Sequence, residues 1–405
     1  MANTTLTADV LTKIALPVLD NELGVLKTFY RAHEDEFSQK VNGYSVGDTV
    51  SIRRPADFTV RSGAVMSTQD VIEGKTSLTI DQQKGVDFKF SSTDLTLKVE
   101  DMAERVIKPA VISLVNQVVL DCLTQAYVGT YNYVGTPGSR VDSFPDFLKV
   151  PERMDEMTVP TEMRNAVMCP NDYYGLVGSQ ASLFSPSLVG EAYKTGSIGT
   201  LASVDTMMTQ VVPSFVTGTR AGGTVNGASQ NVTYDTAKNT WSQALIVAAV
   251  TGIANAGDVF TLAGVNMVNA KTKADTGILQ QFVVTTTTGA APTSLTISPP
   301  IISSGPHQTV AAAPASGAAL TWVGTAATSY RQNMAYHKHA FALAVVPMEM
   351  PTAAYGGDRR TSKNLSIRII PGYDQVNDIS SWRMDMLYGR KLIDPRLSLR
   401  FAGTP

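Results

Sequence analysis

The amino-acid sequence predicts an α+β fold, in which an arm of β-structure leads into one long helix and a β-rich segment follows later. Val86, Phe88 and Phe90 alternate with polar residues, which is the period of a half-buried strand. Apolar residues then recur at helical spacing over residues 99–128. Residues 281–330 contain no Asp, Glu, Lys or Arg, and their short β-like runs are separated by turn residues. An extended arm joined to a long helix indicates a building block that reaches its neighbours.

The first 92 residues are predicted to form an extension rather than a compact domain. Residues 1–46 are expected to form short helices on an arm, because proline and glycine interrupt their apolar pattern. Residues 47–92 are expected to form a long two-stranded extension, with strands at Thr49–Arg53 and Thr76–Asp81 and a loop between them.

The long helix is predicted to span Val99–Val128, which is about 45 Å at about 1.5 Å per residue. Glu100 and Asp101 favour its N-terminal end, because the helix dipole is positive there. Pro109 lies inside this span and is expected to kink or split the helix, and Gly129 is expected to end it.

Mixed α/β structure is predicted for residues 145–220. A buried strand is expected at Asn165–Cys169, followed by a helix that begins near Pro170. A second helix is expected at Pro186–Lys194 and a further strand at Val204–Val212.

Composition changes near Arg220 and changes back at Arg331, where charged residues return. The segment between is rich in Thr, Ala, Gly and Pro, and its aromatic residues provide core material. A small β-barrel or sandwich is therefore favoured over a disordered segment. Further strands are predicted at Phe282–Thr285, Leu295–Ser298, Leu320–Val323, Phe341–Val346, Leu365–Ile370, Trp382–Tyr388 and Leu397–Phe401. The pattern predicts one discontinuous domain with a β-domain of about 110 residues inserted in it.

Composition also limits the classes of function. The 405 residues suffice for two or three domains. Charged residues make up 17%, against roughly 25% in typical soluble proteins, and surfaces poor in charge often lie in oligomer contacts. The formal net charge of −2 predicts no strong attraction to nucleic acid, so any DNA contact would be local and independent of base sequence.

No targeting or membrane segment is predicted. The N-terminus lacks a basic region followed by an apolar core, and the longest strongly apolar run, Ala244–Val250, is far shorter than the roughly 20 residues that span a bilayer. Cys122 and Cys169 form no CxxC motif and are expected to be buried thiols of a protein made in a reducing cytoplasm.

His337 and His339 form an HxH motif, predicted to lie at the start of a strand, where both side chains would share one face. Such a pair could supply part of a metal site, but structural histidines are favoured because a site needs three or more ligands. No P-loop and no GxSxG motif is present, and no spacing groups Ser, His and Asp into a triad.

Two clusters of charged side chains have structural explanations as well. The acidic cluster is better explained by the helix dipole than by general acid or base chemistry. The basic cluster is interpreted as a solvated loop, with contact to a phosphate or an acidic partner as the alternative. The acidic residues are Asp94, Glu100, Asp101 and Glu104, and the basic ones are Arg359, Arg360 and Lys363. The sequence therefore assigns no catalytic, cofactor-binding or metal-binding residue, and the chain is not expected to be an enzyme.

Five segments, taken in order, resemble the major capsid (coat) proteins of tailed bacteriophages, in the subgroup that carries an inserted β-domain. They cover residues 78–110 (LTIDQQKGVDFKFSSTDLTLKVEDMAERVIKPA), 191–205 (EAYKTGSIGTLASVD), 264–284 (GVNMVNAKTKADTGILQQFVV), 333–347 (NMAYHKHAFALAVVP) and 366–403 (SIRIIPGYDQVNDISSWRMDMLYGRKLIDPRLSLRFAG). The resemblance extends over nearly the whole chain, which makes it far more specific than any single motif.

The resemblance implies the Hong-Kong-97-like major capsid fold with an inserted small all-β barrel domain. It assigns an N-terminal arm (1–46), an extended loop (47–92), a peripheral domain with the spine helix (93–145), an axial domain (146–220), the inserted β-domain (221–332), the second part of the axial domain (333–374) and the second part of the peripheral domain (375–405).

The function that the resemblance implies is structural. Many copies would form hexamers and pentamers of an icosahedral head shell around double-stranded DNA, which they would contact non-specifically. A scaffolding protein and a portal would be partners during assembly, a decoration protein is a further candidate partner, and no membrane is involved. Some shell proteins crosslink an arm lysine to a neighbour's asparagine, but Lys75 and Lys84 are interpreted as ordinary arm charges. The alternatives are a β-rich surface-binding or decoration protein and a metal hydrolase that uses His337 and His339.

Overall fold

The computed structural model describes residues 24–32, 49–66, 68–91, 106–180, 198–351, 357–362 and 365–402 of the 405-residue chain. The chain divides into two compact units. The first comprises Met1–Val50, Ser77–Cys122 and Phe341–Lys391, and the second comprises Ser51–Thr76, Leu123–Ala340 and Leu392–Pro405.

Strands outnumber helices among the described residues. The helices are α1 (Lys108–Gly129), α2 (Phe144–Glu156), α3 (Pro170–Gln180) and α4 (Tyr234–Ala237), with 3₁₀ turns at Leu26–Thr28, Lys338–Ala340 and Pro395–Leu397. The strands are β1 (Thr49–Arg53), β2 (Lys75–Ser91), β3 (Tyr133–Val134), β4 (Arg164–Met168), β5 (Thr200–Leu201), β6 (Val204–Met208), β7 (Ser214–Val216), β8 (Thr224–Val225), β9 (Gln243–Ala248), β10 (Val259–Val268), β11 (Asp275–Val284), β12 (Ser294–Ser298), β13 (Leu320–Trp322), β14 (Ser329–Arg331), β15 (Asn333–His337), β16 (Phe341–Val346), β17 (Asp358–Ser362), β18 (Leu365–Asp374), β19 (Ile379–Leu392) and β20 (Ser398–Phe401). The α+β class predicted from the sequence is confirmed.

The first unit is built on a sheet with the strand order β1-β2-β19-β18-β17, in which β16 also pairs with β19. Exposed side chains alternate with buried or half-buried ones along the described part of β2, as its period-two sequence predicts. This strand pairs antiparallel with β19 from Ser91 opposite Ile379 to Ile80 opposite Gly389. The two long strands therefore form the centre of the sheet.

Helix α1 buries a stripe of apolar side chains, including Val111, Leu114 and Val118. Pro109 is the second residue of α1 as described, and residues 106–107 before it are already helical, so the kink or split expected at Pro109 stays a prediction. The predicted start at Val99 lies outside the described residues. Within the described chain, α1 alone is long and apolar enough to cross a bilayer. Half of its most apolar stretch is buried, and helices in protein cores can have the same length and composition.

The second unit contains a six-stranded sheet with the order β3-β20-β15-β4-β6-β5. Helices α2 and α3 pack on it through a common apolar cluster, in which Phe147 meets Phe401 edge-on with ring centroids 6.4 Å apart. Ser143 caps α2 by accepting a hydrogen bond from the Asp146 backbone N–H at 3.3 Å. The predicted strand over 204–212 ends at Met208, and the helix predicted at 186–194 lies outside the described residues.

A second six-stranded sheet, with the order β13-β10-β11-β12-β9-β8, lies within residues 224–322. Its edges meet, because Val225 N–H donates to the Ala318 carbonyl at 2.9 Å and Leu320 N–H donates to the Gly223 carbonyl at 3.0 Å. The sheet thus closes into a small barrel around a core that includes Phe260 and Phe282. Gly223 has φ +117°, and a Cβ there would lie 2.7 Å from Val250 Cγ2, so the closure needs glycine.

Strands β7 and β14 form a short antiparallel pair where the chain enters and leaves the barrel. Ser214 lies opposite Arg331 and Val216 opposite Ser329. The Thr217 N–H continues this contact by donating to the Thr328 carbonyl at 3.0 Å. The two ends of the barrel segment are therefore hydrogen-bonded side by side.

Some strands pair across the boundaries of the seven segments expected from the sequence. Strand β20 pairs with β15, although residues 375–405 and 333–374 were assigned to different domains. Strand β16 pairs with β19 in the other sheet, and residues 51–76 group with the second unit. The physical reason is sheet pairing between strands far apart in sequence, which local patterns do not report.

Candidate functional site

The loop between β1 and β2 presents the largest group of exposed apolar side chains in the described chain. They are Phe58, Val60, Val65, Met66 and Val71, and Val60 is 96% exposed. The loop is nevertheless ordered internally, because Thr59 N–H donates to Gln69 Oε1 at 2.9 Å and Gln69 Nε2 donates to the Thr59 carbonyl at 2.6 Å. Exposed apolar groups on an ordered loop favour contact with another protein surface.

A cluster of charged and aromatic side chains, here called the root cluster, fixes the start of this loop. Arg396 donates to Asp57 Oδ2 at 2.7 Å and forms a two-point contact with Asp394, with its Nε 3.0 Å from Oδ1 and one terminal nitrogen 2.8 Å from Oδ2. Such forked contacts are the strong form of an arginine–carboxylate pair. Asp57 therefore ties the loop to the C-terminal segment of the chain.

Aromatic side chains of the barrel segment complete the root cluster. The guanidinium groups of Arg54 and Arg396 lie 5.6 Å and 5.4 Å from the ring centroid of Trp241, within range of cation–π attraction. The rings of Tyr234 and His307 stack with centroids 3.5 Å apart, and His307 Nδ1 lies 3.5 Å from Asp57 Oδ2. The root cluster thus joins the loop, the barrel segment and the C-terminal segment.

The charge state of Asp57 follows from these partners. Burial alone would raise the pKa of the Asp57 carboxyl, but the hydrogen bond from His307 and the charge of Arg396 outweigh it and hold the pKa well below its usual range. The carboxylate is therefore ionised at neutral pH, and the loop root is held by a charged contact.

A second charged group joins α1 to the central strands of the first unit. Asp121 Oδ2 accepts a hydrogen bond from the Tyr388 hydroxyl at 2.8 Å and lies 3.4 Å from Lys84 Nζ. Gln117 donates to the other carboxylate oxygen at 3.0 Å. Burial and the hydrogen bond to Asp121 both raise the pKa of Tyr388, so its hydroxyl stays protonated as a donor.

Replacement of Tyr388 by phenylalanine should lower the free energy of unfolding of the unassembled chain by about 2 kcal/mol, because it removes a buried hydrogen bond to a carboxylate. The measurement is equilibrium unfolding in urea. Tyr373→Phe is the matched control: its hydroxyl also donates to a carboxylate, Asp378, at 2.8 Å, but Tyr373 is 59% exposed. The control should change stability by less than about 0.5 kcal/mol, and equal losses in both variants would contradict the assignment.

The histidine pair does not lie within one strand as predicted. His337 is the last residue of β15 and is buried, whereas His339 lies in the 3₁₀ turn that follows, with the two rings 5.2 Å apart. The His339 backbone N–H donates to His337 Nδ1 at 3.3 Å. The described residues hold no cluster of three or more His, Cys, Asp or Glu side chains placed to bind a metal.

The pH dependence of folding should contain a contribution from His337. Burial, followed by the charges of His339 and Arg164, lowers its pKa below the ordinary value of 6.5, while Glu162 acts weakly in the opposite sense. At a pH near these pKa values the folded state then binds fewer protons than the unfolded state. The contribution of His337 to the free energy of unfolding is therefore fully present above the ordinary pKa of 6.5 and decreases as the pH falls below it. The unfolding midpoint of His337→Gln should fall less than that of the wild type between pH of about 7.5 and about 5.5. Identical pH dependence in both proteins would refute this assignment.

Among the described residues, the remaining basic residues and the two cysteines singled out from the sequence lie in strands and in the buried core. Arg359 and Arg360 belong to strand β17 rather than to a loop, because residues 358–362 pair antiparallel with β18. Lys75 uses its backbone N–H to contact Asn239 Oδ1 at 3.3 Å, and Cys122 and Cys169 are buried thiols as predicted. Residues Asp94, Glu100, Asp101, Glu104 and Lys363 lie outside the described residues.

Sequence reasoning missed the buried charges of the second unit. Arg220 and Asp258 form an ion pair at 2.9 Å, with both side chains at most 1% exposed. Arg400 is also buried, within the short strand β20. One feature of the sequence could have indicated them: each is a single charged residue in an otherwise apolar or uncharged stretch. A charged side chain in such a stretch is buried in a protein interior only when other groups pair with it.

Exposed apolar side chains on a loop with a fixed root are typical of proteins that bind other protein chains. A protein-family model described as "P22 coat protein - gene protein 5" matches residues 10–403. The chain therefore belongs to this family of phage coat proteins. A search of curated proteins gave no match.

Solved structures of phage proteins are also similar to the chain. One titled "Mycobacterium phage Che8" has 13% identity and a TM-score of 0.48, and the match covers 92% of this chain and 89% of that one. A second, "Capsid structure of the Cyanophage P-SCSP1u", has 11% identity and a TM-score of 0.44, with 89% and 85% covered. A third, "CUS-3 coat protein I-domain", has 30% identity and a TM-score of 0.20, with 26% of this chain and 96% of that one covered.

Family membership confirms the central expectation from the sequence. The chain is a structural major capsid protein of a bacteriophage head, many copies of which assemble into a shell, and its location is the virion capsid. The α+β class that the sequence predicts agrees with the described helices and strands.

Proposed function

We propose that the loop between β1 and β2 is a principal contact through which copies of the chain join in the shell. Its exposed apolar side chains carry this proposal, because burying them against a neighbour would remove them from water. The root cluster supports it, since a fixed base leaves less conformational entropy to be lost on association. Each contact is small, but a closed shell repeats it in every copy.

The shell is proposed to be icosahedral, with hexamers and pentamers of the chain enclosing double-stranded DNA. The net charge of −2 gives the chain no strong attraction to that DNA, so the proposed contact is local and independent of base sequence. A scaffolding protein and a portal are the proposed assembly partners, with a decoration protein as a further candidate, and synthesis is proposed to occur in the host cytoplasm. The chain is proposed to act by geometry and not as an enzyme.

We also propose that residues 221–332 form an inserted β-domain within a chain whose other segments are divided as the sequence predicts. The closed barrel and its separate apolar core support this insertion, as does the pairing of β7 with β14 beside it. A polypeptide of residues 217–328 should show cooperative thermal unfolding by circular dichroism. Its failure to fold would count against an independent domain.

The assembly proposal is tested by expressing the full chain with and without a scaffolding protein. Sedimentation and negative-stain electron microscopy should show shells or regular sheets of capsomers. A stable monomer under both conditions would refute self-assembly through this chain.

A further inference from the structure

A cavity of about 20 Å³ lies in the second unit, where the barrel segment meets β3, β14 and β20. Its wall includes Tyr133, Phe215, Gly257, Gln332 and Arg400. A cavity of this size holds one water-sized particle, since about 10–15 Å³ suffices for one water.

Two buried arginines and two buried carboxylates act on the groups of this cavity. Arg220 and Arg400 are both at most 2% exposed, Asp258 is the carboxylate that faces them, and the fully buried Asp172 acts on Tyr133. Asp258 is already engaged: it forms the ion pair with Arg220 at 2.9 Å and accepts hydrogen bonds from Gly218 N–H at 3.0 Å and Asn255 N–H at 2.8 Å. Among the described residues, no carboxylate lies within ion-pair distance of Arg400, so its positive charge is buried without a directly paired anion, which is a costly arrangement.

The hydrogen-bond partners of Arg400 are neutral groups. Its guanidinium donates to the Gly257 carbonyl at 2.9 Å and to Gln332 Oε1 at 3.3 Å. Burial lowers its pKa to about 10, so the guanidinium is still protonated at neutral pH.

Two buried donors at the cavity lack a partner among the described residues, namely Arg400 Nε and the Tyr133 hydroxyl. Both side chains are more than nine-tenths buried. Burial raises the pKa of Tyr133, so its hydroxyl carries a proton that it can donate. Buried donors of this kind are normally satisfied by an acceptor.

We propose that this cavity binds one small monovalent anion of the halide class, held by the Tyr133 hydroxyl and the Arg400 guanidinium. A water molecule would accept from both donors but would leave the buried charge uncompensated, whereas an anion supplies both the acceptor and the charge. Asp258 forms part of the wall, and its ion pair with Arg220 and its two backbone hydrogen bonds limit its repulsion of the anion.

Bromide is the probe for the test, with the full-length unassembled chain as the sample. The unfolding temperature should rise saturably with bromide when sodium isethionate holds ionic strength constant, because a ligand of the folded state stabilises it. Tyr133→Phe should raise the half-saturating bromide concentration by about fivefold, since it removes one hydrogen bond. Tyr131→Phe is the matched control, because Tyr131 is equally buried but does not line this cavity, and it should respond to bromide as the wild type does.

Crystals grown in bromide should show an anomalous scattering peak between Tyr133 and Arg400. A peak of density without anomalous signal would identify a water and overturn the proposal. The same follows if the unfolding temperature does not depend on bromide, or if Tyr133→Phe shows the wild-type dependence.

Discussion

Replacement of Asp258 by asparagine should lower the free energy of unfolding by about 3–5 kcal/mol. The change removes the anionic partner of Arg220, whose side chain is 1% exposed, and leaves a guanidinium buried without its carboxylate. The Gly218 and Asn255 N–H groups would keep an amide oxygen as acceptor, so the main loss is electrostatic. The measurement is equilibrium unfolding of the unassembled chain in urea, which also avoids the concentration dependence of assembly.

Asp235→Asn provides the control in the same segment. Asp235 pairs with Lys238 at 2.6 Å, but its side chain is 68% exposed, and exposed pairs contribute about 0–1 kcal/mol. A loss for Asp258→Asn no larger than that of this control would mean that burial of the pair has no energetic consequence.

Replacement of Val60, Val65 and Met66 by serine should abolish shell formation while leaving a folded chain. These side chains are 96%, 84% and 78% exposed, so the variant loses almost no intramolecular packing. The apolar area that a neighbour would cover becomes polar, so each contact loses binding free energy. This loss is repeated at every copy of the contact in the shell. Sedimentation should show monomers at concentrations at which the wild type forms shells, with an unchanged circular dichroism spectrum.

These substitutions test the role of the loop in assembly more specifically than a deletion of the loop would. Deletion of residues 51–75 would also remove Arg54 and Asp57, which belong to the root cluster and stabilise the second unit itself. Ile246→Ser is the matched control, because Ile246 is an exposed apolar residue on the barrel. Normal shells from the triple variant would show that the loop does not join copies of the chain.

Much of the fold could be predicted because local patterns carry it. The alternation along β2 predicts a strand with one buried face, and the uncharged run Phe341–Val346 coincides with β16. The helix after Pro170 and the short strands of the barrel segment follow from equally local signals, namely a proline at the first turn and apolar runs between turn residues.

The partners of the buried charges could not be predicted, because their contacts join residues far apart in sequence. Asp57 meets Arg396, and Arg400 meets Gly257, across separations that no periodicity reports. The same holds for β20, whose apolar pattern predicts a strand but not its pairing with β15. The exposed loop was expected from its position, whereas the charged root that fixes it appears only in three dimensions.

The pairing of β7 with β14 also bears on how this coat protein can change over time. The chain enters and leaves the barrel segment through these two adjacent, hydrogen-bonded strands, so the distance between the two ends of the segment stays the same whatever lies between them. Lengthening, shortening or exchanging turns of the barrel therefore costs the rest of the subunit little. We expect this part of the molecule to drift fastest among coat proteins of different phages, with the two flanking strands held in register.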